Sequence, residues 1–493
     1  MLQQLKEQTN QTTTTNGDLG YLSTLDEVLD LFGKGGNMRD DIDGFITLLD
    51  KAYGEDPELA LKTLFYLRDI RGGQGERDVF RAGFKHLANV LGAKMSHLIP
   101  LVAEYGRYDD LFVLFDTRLE SEMLSYVEKQ LTQDTKDLSK DGTISLLGKW
   151  MPSINASSKK TRRLAERFAK ALNVSFSDYR KMLVSLRTRI ELVETTLSNG
   201  DISTIDYGHI PSKAHHQYKK AFWRRDAKRY EAFLELVENG EMTVNAGTLY
   251  PYDLVSRVLD GHLERNEERT IDALWNNLPD FTQGNQDDSL VVVDVSYSMN
   301  GSGANAPINV AIGLGLYIAE RNKGLFHNHF LTFHTEPKLV KISGSTVANK
   351  IRNIKAAEWG GTTDLEKTFN LILKAAVTNQ LPSAQMVKRL IIVSDMQFNR
   401  ISSNRYGNSV GEESVISSAK EAFEDAGYLF PELIFWNVAG DNTVPITKNT
   451  SGVALLSGSS PSVLKAVLGA KDLSPIHLML DVLESDRYAP VHL

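Results

Sequence analysis

Leu290, Val291, Val292 and Val293 form an aliphatic run with no polar alternation, which reads as a strand buried on both faces. Such strands belong to the centre of parallel α/β sheets, because crossover helices cover both sides. The run ends in Asp294-Val295-Ser296-Tyr297-Ser298. In an open parallel sheet the C-terminal strand ends form the binding crevice, so these residues lie where ligands bind. One carboxylate and two hydroxyls on alternate residues of a turn supply hard oxygen ligands pointing the same way, a donor set suited to a divalent cation. Hydroxyls bring no negative charge, so an ion held largely by them should take a carboxylate or phosphate from a partner. Asp and Ser are also ordinary turn and N-cap residues, and a capped turn is the plainer alternative.

Two later segments weigh against that alternative. Trp359-Gly360-Gly361-Thr362-Thr363-Asp364-Leu365 is a Gly-rich loop entering a helix, with Leu365, Phe369, Ile372 and Ala376 at helical spacing. Arg389 to Asp395 (RLIIVSD) is a second buried strand that ends in an aspartate. With the Asp-x-Ser-x-Ser loop, these segments resemble the metal-site loops of von Willebrand factor A domains, where the motif forms a metal-ion-dependent adhesion site. The resemblance implies one Mg2+ (or Mn2+) touched directly by Ser296, Ser298 and a threonine, with Asp294 and Asp395 acting largely through coordinated water. Thr363 fits the family's Thr-Asp-apolar pattern better than Thr362 does. Thr363 and Glu366 also satisfy a Ser/Thr-x-x-Glu capping box, which would occupy the hydroxyl with a backbone N–H.

The surrounding sequence extends the pattern. An apolar helix is expected at Pro307 to Glu320, strands at His329 to His334 and Lys338 to Ile342, and two more at Pro431 to Val438 and Val453 to Leu456. Strands alternating with helices of this length specify a doubly wound, mostly parallel sheet, so residues 286–493 are expected to form a doubly wound α/β domain of von Willebrand A type.

Upstream the pattern changes. Residues 1–20 are polar, with a run of threonines from Thr12 to Thr15, and are expected to be a disordered tail. From 21 to 285 only helical periodicity is found. Asp56-Pro57 is a good N-cap and first-turn pair, and Leu61, Leu64 and Phe65 share the face that follows. Arg71-Gly72-Gly73-Gln74-Gly75 breaks that helix, and Phe80, Phe84, Leu87 and Leu91 mark the next one, giving a helical hairpin. Similar pairs follow, so an all-α, HEAT-like array of hairpins is expected. The chain is thus expected to have two domains, the helical array and then the α/β domain.

The segments FYLRDIRGGQGERDVFR (65–81), EYGRYDDLF (104–112), GKWMPS (148–153) and LYPYDLV (249–255) resemble a family of uncharacterised proteins with a fused von Willebrand A domain. That family is related to the TROVE module of the Ro ribonucleoprotein. The resemblance implies a TROVE-like ring that binds structured RNA, including RNA ends.

Charge tests that implication independently. The 493-residue chain carries a net charge of −8, which argues against a uniformly basic coat. Between Lys149 and Tyr230, however, 18 Lys plus Arg face 7 Asp plus Glu, a local charge of +11 against −19 for the remainder. Such asymmetry is the expected footprint of a phosphate-binding face. In this stretch Lys159, Lys160, Arg162, Arg163, Arg180, Lys181, Lys219, Lys220, Arg224 and Arg225 interleave with Trp150, Tyr179, Tyr218, Phe222 and Trp223. Cations for phosphates and aromatics for bases are what structured or single-stranded RNA requires. For any single residue, a solvated helix face or a core aromatic is the plainer reading.

No enzyme motif stands up. A haloacid-dehalogenase phosphatase needs an aspartate two residues after Asp294, where Ser296 stands. Gly407 to Gly411 satisfies Gly-x-Ser-x-Gly, but no strand runs directly into it. The Arg71 to Gly75 glycines lack the Gly-Lys-Ser/Thr ending of a phosphate loop. His215-His216, His327 and His329 lack a third metal partner and read as surface and strand residues. There is no cysteine, which excludes disulfides and thiolate sites, and no apolar stretch of about 20 residues to span a membrane. With no leader segment either, a cytoplasmic location is the simplest expectation. Two functions remain in view. One is a non-enzymatic RNA-binding scaffold whose metal site recruits a protein partner that donates a carboxylate. The other is a protein–protein adaptor or assembly component, of a viral or chaperone-like complex, with no RNA role.

Overall fold

The structure is a computed structural model that describes all residues except 1–9, 14–18, 191, 262, 283–287, 334–335, 358–363, 397–414, 440–450 and 470–472. Part of the expected N-terminal tail is ordered. Gln11–Thr13 (β1) pairs antiparallel with Leu19–Tyr21 (β2), and the Asn10 side chain is buried against the Ser23 backbone. Composition alone misses this, because the backbone ladder and the asparagine bonds do not depend on apolar content.

The C-terminal region is a mixed six-stranded sheet of β3 (Ser289–Val293), β4 (His329–Thr332), β5 (Leu339–Lys341), β6 (Arg389–Ser394), β7 (Glu432–Asn437) and β8 (Val453–Ser457). Its order is β5-β4-β3-β6-β7-β8, parallel except for the antiparallel edge strand β5. The absence of polar alternation has its expected cause. Val291, Val293, Ile391 and Val393 enter the core on one face, and Leu290, Val292, Leu390 and Ile392 enter the core on the other. Helix Pro307–Arg321 covers the first face so closely that a Cβ at Gly315 would lie 2.5 Å from a Val293 methyl. Helices Leu365–Thr378 and Val415–Asp425 cover the second. From β3 the chain turns to β4 on one side and later crosses to β6 on the other, so the winding reverses between β3 and β6. The two aspartates follow these two strands.

Helices give way to strands between Asn276 and Ser289, but the packing does not divide there. One core joins residues from Val28 to Leu186 with Met479, Val482, Leu483, Tyr488 and Val491 from the chain's end. A second runs from Val193 through Leu278 directly onto one face of the sheet. The helical region is therefore two units, the later of which shares its core with the sheet. The earlier unit is tied to the sheet by its own elements. Helix Glu27–Lys34 lies on edge strand β8, with Gly33 against Leu455, and the Asn37 amide donates to the Asn437 carbonyl at 2.7 Å. The C-terminal segment returns to this unit, where buried Asp69 accepts two bonds from Arg487 at 2.7 and 2.8 Å and one from the Tyr488 hydroxyl.

The Arg71 to Gly75 loop sits at this seam and joins helix Pro57–Arg68 to helix Asp78–Leu91. Its glycines answer to packing. A Cβ at Gly73 would lie 1.9 Å from the Tyr66 carbonyl oxygen, and Gly75, at φ +71°, faces the Tyr250 hydroxyl at 2.0 Å from its would-be Cβ. Ser462, after β8, donates to the Gly73 carbonyl at 3.0 Å.

Candidate functional site

Asp294 extends the β3 ladder by one bond, from its N–H to the Val393 carbonyl at 3.0 Å, and its side chain is wholly buried. Oδ1 accepts from the Ser296 N–H at 2.8 Å, the Asx turn that lifts the chain off the sheet. Oδ2 accepts from the Ser394 hydroxyl, at the end of β6, at 2.7 Å. Val295 and Met299 are buried and pin the turn, while Ser296, Tyr297 and Ser298 face outward. The Ser296 and Ser298 hydroxyl oxygens are 3.0 Å apart. Asp395, nearly buried, lies close enough that its charge adds to burial in pushing the Asp294 carboxyl up to about 6, burial being the larger cause. Met396, directly after it, holds a left-handed φ of +65°, a conformation costing a non-glycine residue roughly 1 kcal/mol. Strain of this kind concentrates where a loop is held for a purpose.

These residues fit a small divalent ion. An octahedral magnesium with ligands at about 2.1 Å has neighbouring ligands about 3 Å apart. The two serine oxygens stand at that separation, which is also that of the hydrogen bond between them, and both oxygens of the Asp294 carboxylate accept bonds, from the Ser296 N–H and the Ser394 hydroxyl. No group of three or more His, Cys, Asp and Glu that could hold a metal occurs among the described residues, so an ion here would depend on hydroxyls and on a partner's oxygen. Thr362 and Thr363 lie outside the described residues, as does the Gly407 to Gly411 segment. Helix Leu365–Thr378 is capped by Asp364, whose side chain accepts from the Lys367 N–H at 2.9 Å, and the Thr363 hydroxyl of the capping-box alternative lies outside the described residues.

The basic stretch does not form one surface. Lys159, Lys160 and Arg163 are exposed on helix Lys159–Ala171, and Arg180 and Lys181 on helix Phe176–Arg189; both helices pack on the first core. Arg162 is half-buried and donates to the carbonyls of Ala156 and Ser157. Helix Ser212–Arg225 packs on the second core, and several of its cations are bonded within the chain. Lys219 is 4% exposed, donates to the His216 carbonyl at 2.7 Å and lies 4.0 Å from Glu267; burial, then the Arg257 charge, pulls its amine down to about 8. Lys220 pairs with Glu264 and Glu267, Arg224 with Glu264, and Arg225 donates to the Leu197 carbonyl. Lys219 is therefore withdrawn as an RNA contact, and Lys220 and Arg225 are committed within the chain.

The aromatics need the same correction. Tyr179 and Phe222 are wholly buried, Trp223 donates its indole N–H to Thr270, and Trp150 lies beneath the Arg107 guanidinium at 4.0 Å. Tyr179 and Phe222 are therefore closed to bases, while Trp150, Tyr218 and Trp223 are half-buried. Phe176, 43% exposed one turn before Arg180, is the exposed ring among the cations, and a local apolar count could have found it at the first turn of its helix. His215 is also a core residue, not a surface one. Its Nε2 meets the Tyr230 hydroxyl at 2.8 Å, and burial pulls its imidazole down to about 3.

Similarity to known sequences changes where helices give way to strands. Residues 14–90 and 165–281 match the family described as a domain of unknown function, DUF2828, and residues 288–485 match a second, DUF7788. Among solved structures, the crystal structure of the Deinococcus radiodurans RO (RSR) protein aligns over 90% of this chain and 92% of that one, at a TM-score of 0.37 and 13% identity. The chain is also 30% identical over 516 residues to the uncharacterized protein L728 of Acanthamoeba polyphaga mimivirus, covering 97% of this chain and 88% of that protein. With DUF2828 segments followed by DUF7788 and near end-to-end similarity, this chain belongs to the same family as the mimivirus protein L728.

Proposed function

We propose that the chain is a non-enzymatic scaffold that holds a partner through a Mg2+ (or Mn2+) ion at the β3–β6 crevice of a von Willebrand A-like domain. The observation that carries this reading is the convergence of Asp294, Ser296, Ser298 and Asp395 at the point where the sheet's winding reverses. Ser296 and Ser298 would touch the ion directly, and Thr363 is the third direct ligand by resemblance. Asp294 and Asp395 would orient coordinated water while staying fixed by their strand ends. Bound magnesium supplies an open coordination position for a carboxylate on a protein partner. Magnesium should raise the thermal midpoint of the purified chain, by about 2.7 kcal/mol of stability at a hundredfold excess over its dissociation constant. The double variant Asp294→Ala, Ser296→Ala should fold and lose this response; a wild-type chain indifferent to magnesium and manganese would end the reading.

The exposed Lys159, Lys160, Arg163, Arg180 and Lys181, with Phe176 beside them, support a second role, contact with structured or single-stranded RNA. Binding of a single-stranded RNA to the full chain should then weaken steeply with salt. A flat salt response would leave the protein-adaptor reading.

A further inference from the structure

We infer that the cation cluster between helices Ser212–Arg225 and Pro251–Leu259 binds a small oxyanion, free phosphate or the phosphate end of a monoester, through Lys219, Lys220 and Arg257 beside His216. Three cations share one buried carboxylate there. Glu267 is wholly buried, with the Arg257 guanidinium at 3.4 Å, the Lys220 amine at 3.7 Å and the Lys219 amine at 4.0 Å. A charge-assisted hydrogen bond runs at about 2.7–2.9 Å, so none of the three closes on Glu267 as a tight ion pair does. The Glu267 Oε2 also accepts from the Glu264 N–H at 3.1 Å, in the box that caps the next helix. Glu264 itself lies at the rim, 3.9 Å from Lys220 and 3.5 Å from Arg224. One buried carboxylate cannot neutralise three cations, and uncompensated buried charge is costly.

Hydrogen-bonding groups are left over as well. The Lys219 ammonium carries three N–H groups and makes one hydrogen bond among the described residues, to the His216 carbonyl at 2.7 Å. Beside it the His216 Nδ1 is buried with no hydrogen-bond partner among the described residues. Burial, then the charges of Lys219, Lys213 and Arg257, pulls the His216 imidazole down to about 3, so those cations surround a neutral ring. Lys213 is answered locally by Asp253. A phosphate offsets the surplus charge of the others, accepts from their N–H groups, and can donate to or accept from the imidazole nitrogen. The Lys220 and Arg257 side chains, 37% and 21% exposed, open the cluster to solvent, with Lys219 buried behind them. A backbone phosphodiester has two free oxygens. Free phosphate or a monoester has three or more, enough for the three cations at once.

The test uses the full chain with inorganic phosphate as the probe. Binding is followed by broadening of the phosphate line in phosphorus NMR and by the thermal midpoint, against chloride at equal ionic strength. Phosphate should broaden and should raise the midpoint above the chloride control. Lys220→Gln and Arg257→Gln should each weaken binding roughly tenfold or more, the loss expected for one hydrogen bond to a charged group. Arg163→Gln, which removes an exposed cation on another helix, should leave binding unchanged. Lys220 is partly exposed, so Lys220→Gln decides the matter if Arg257→Gln does not fold. A phosphate line as sharp with the chain as without it, or equal weakening by Lys220→Gln and Arg163→Gln, would overturn the inference. So would displacement of phosphate by a single-stranded RNA that lacks a terminal phosphate, since a backbone would then be the ligand.

Discussion

Helices Lys159–Ala171 and Ser212–Arg225 are both rich in Lys and Arg, yet the fold uses them in opposite ways. The first leaves Lys159, Lys160 and Arg163 in solvent. The second packs its cations against Glu264 and Glu267, which arrive from a capping box some forty residues later, and against the Leu197 carbonyl from an earlier helix. The share of Lys and Arg is similar, six of 13 residues against five of 14, and the difference lies in what distant sequence places opposite. A charged side chain is a binding residue or a structural one according to whether its counter-charge is internal.

The largest expected effect tests the internal half of that comparison. Glu267→Ala leaves the buried Lys219 amine without its carboxylate and removes the box that caps helix Arg265–Asn276. It should cost about 3 kcal/mol, read as a lowered urea midpoint. A loss under about 1 kcal/mol would show that Lys219 does not depend on Glu267.

Next comes pH. Burial holds His215 neutral down to about 3, whereas an unfolded histidine titrates near 6.5. The folded value is the lower one, so the stabilisation is complete above about 6.5 and is lost as pH falls through the interval down to about 3. Lowering pH from 7 to 5 should cost about 2 kcal/mol through this residue alone, and His215→Phe should flatten that slope. An unchanged slope in the variant would move the acid sensitivity elsewhere.

The exposed half is tested by charge reversal. Lys159→Glu, Lys160→Glu and Arg163→Glu together should weaken RNA binding and reduce the salt slope by about 0.7 for each phosphate contact removed. Lys220→Glu with Arg224→Glu should change RNA affinity much less. Equal losses from both sets would erase the distinction between the two helices. Smallest is Arg224→Ala, whose solvent-exposed pair with Glu264 should be worth under 1 kcal/mol in the same urea measurement.

The crevice between β3 and β6 behaves differently from the basic stretch because its signal is carried by short, rigid elements. Leu290 to Val293 and Arg389 to Ser394 are buried on both faces, so their C-terminal ends have few places to go, and Asp294 and Asp395 arrive together. The threonine loop has no such strand ahead of it, and its choice between Thr362 and Thr363 stays with the sequence pattern. Tyr297 was equally out of reach, since the motif says nothing about whether its intervening residue is buried or exposed. The RNA-facing aromatics were misassigned for a related reason: Tyr179 and Phe222 lie on amphipathic helices, and their periodicity fits a core as well as a stacking platform.

By itself the sequence determined the order of elements, the doubly buried central strands and the alternation of helix and strand, because these follow from local periodicity and from the area each strand must hide. Only the tertiary structure decided that the helical region holds two cores, that one of them merges with the sheet, that residues 475–491 return to the other, and which cations face solvent. Those outcomes depend on contacts between residues up to 400 or more positions apart, such as Asp69 with Arg487, and no local window of sequence carries the free energy of a contact whose partner lies outside it.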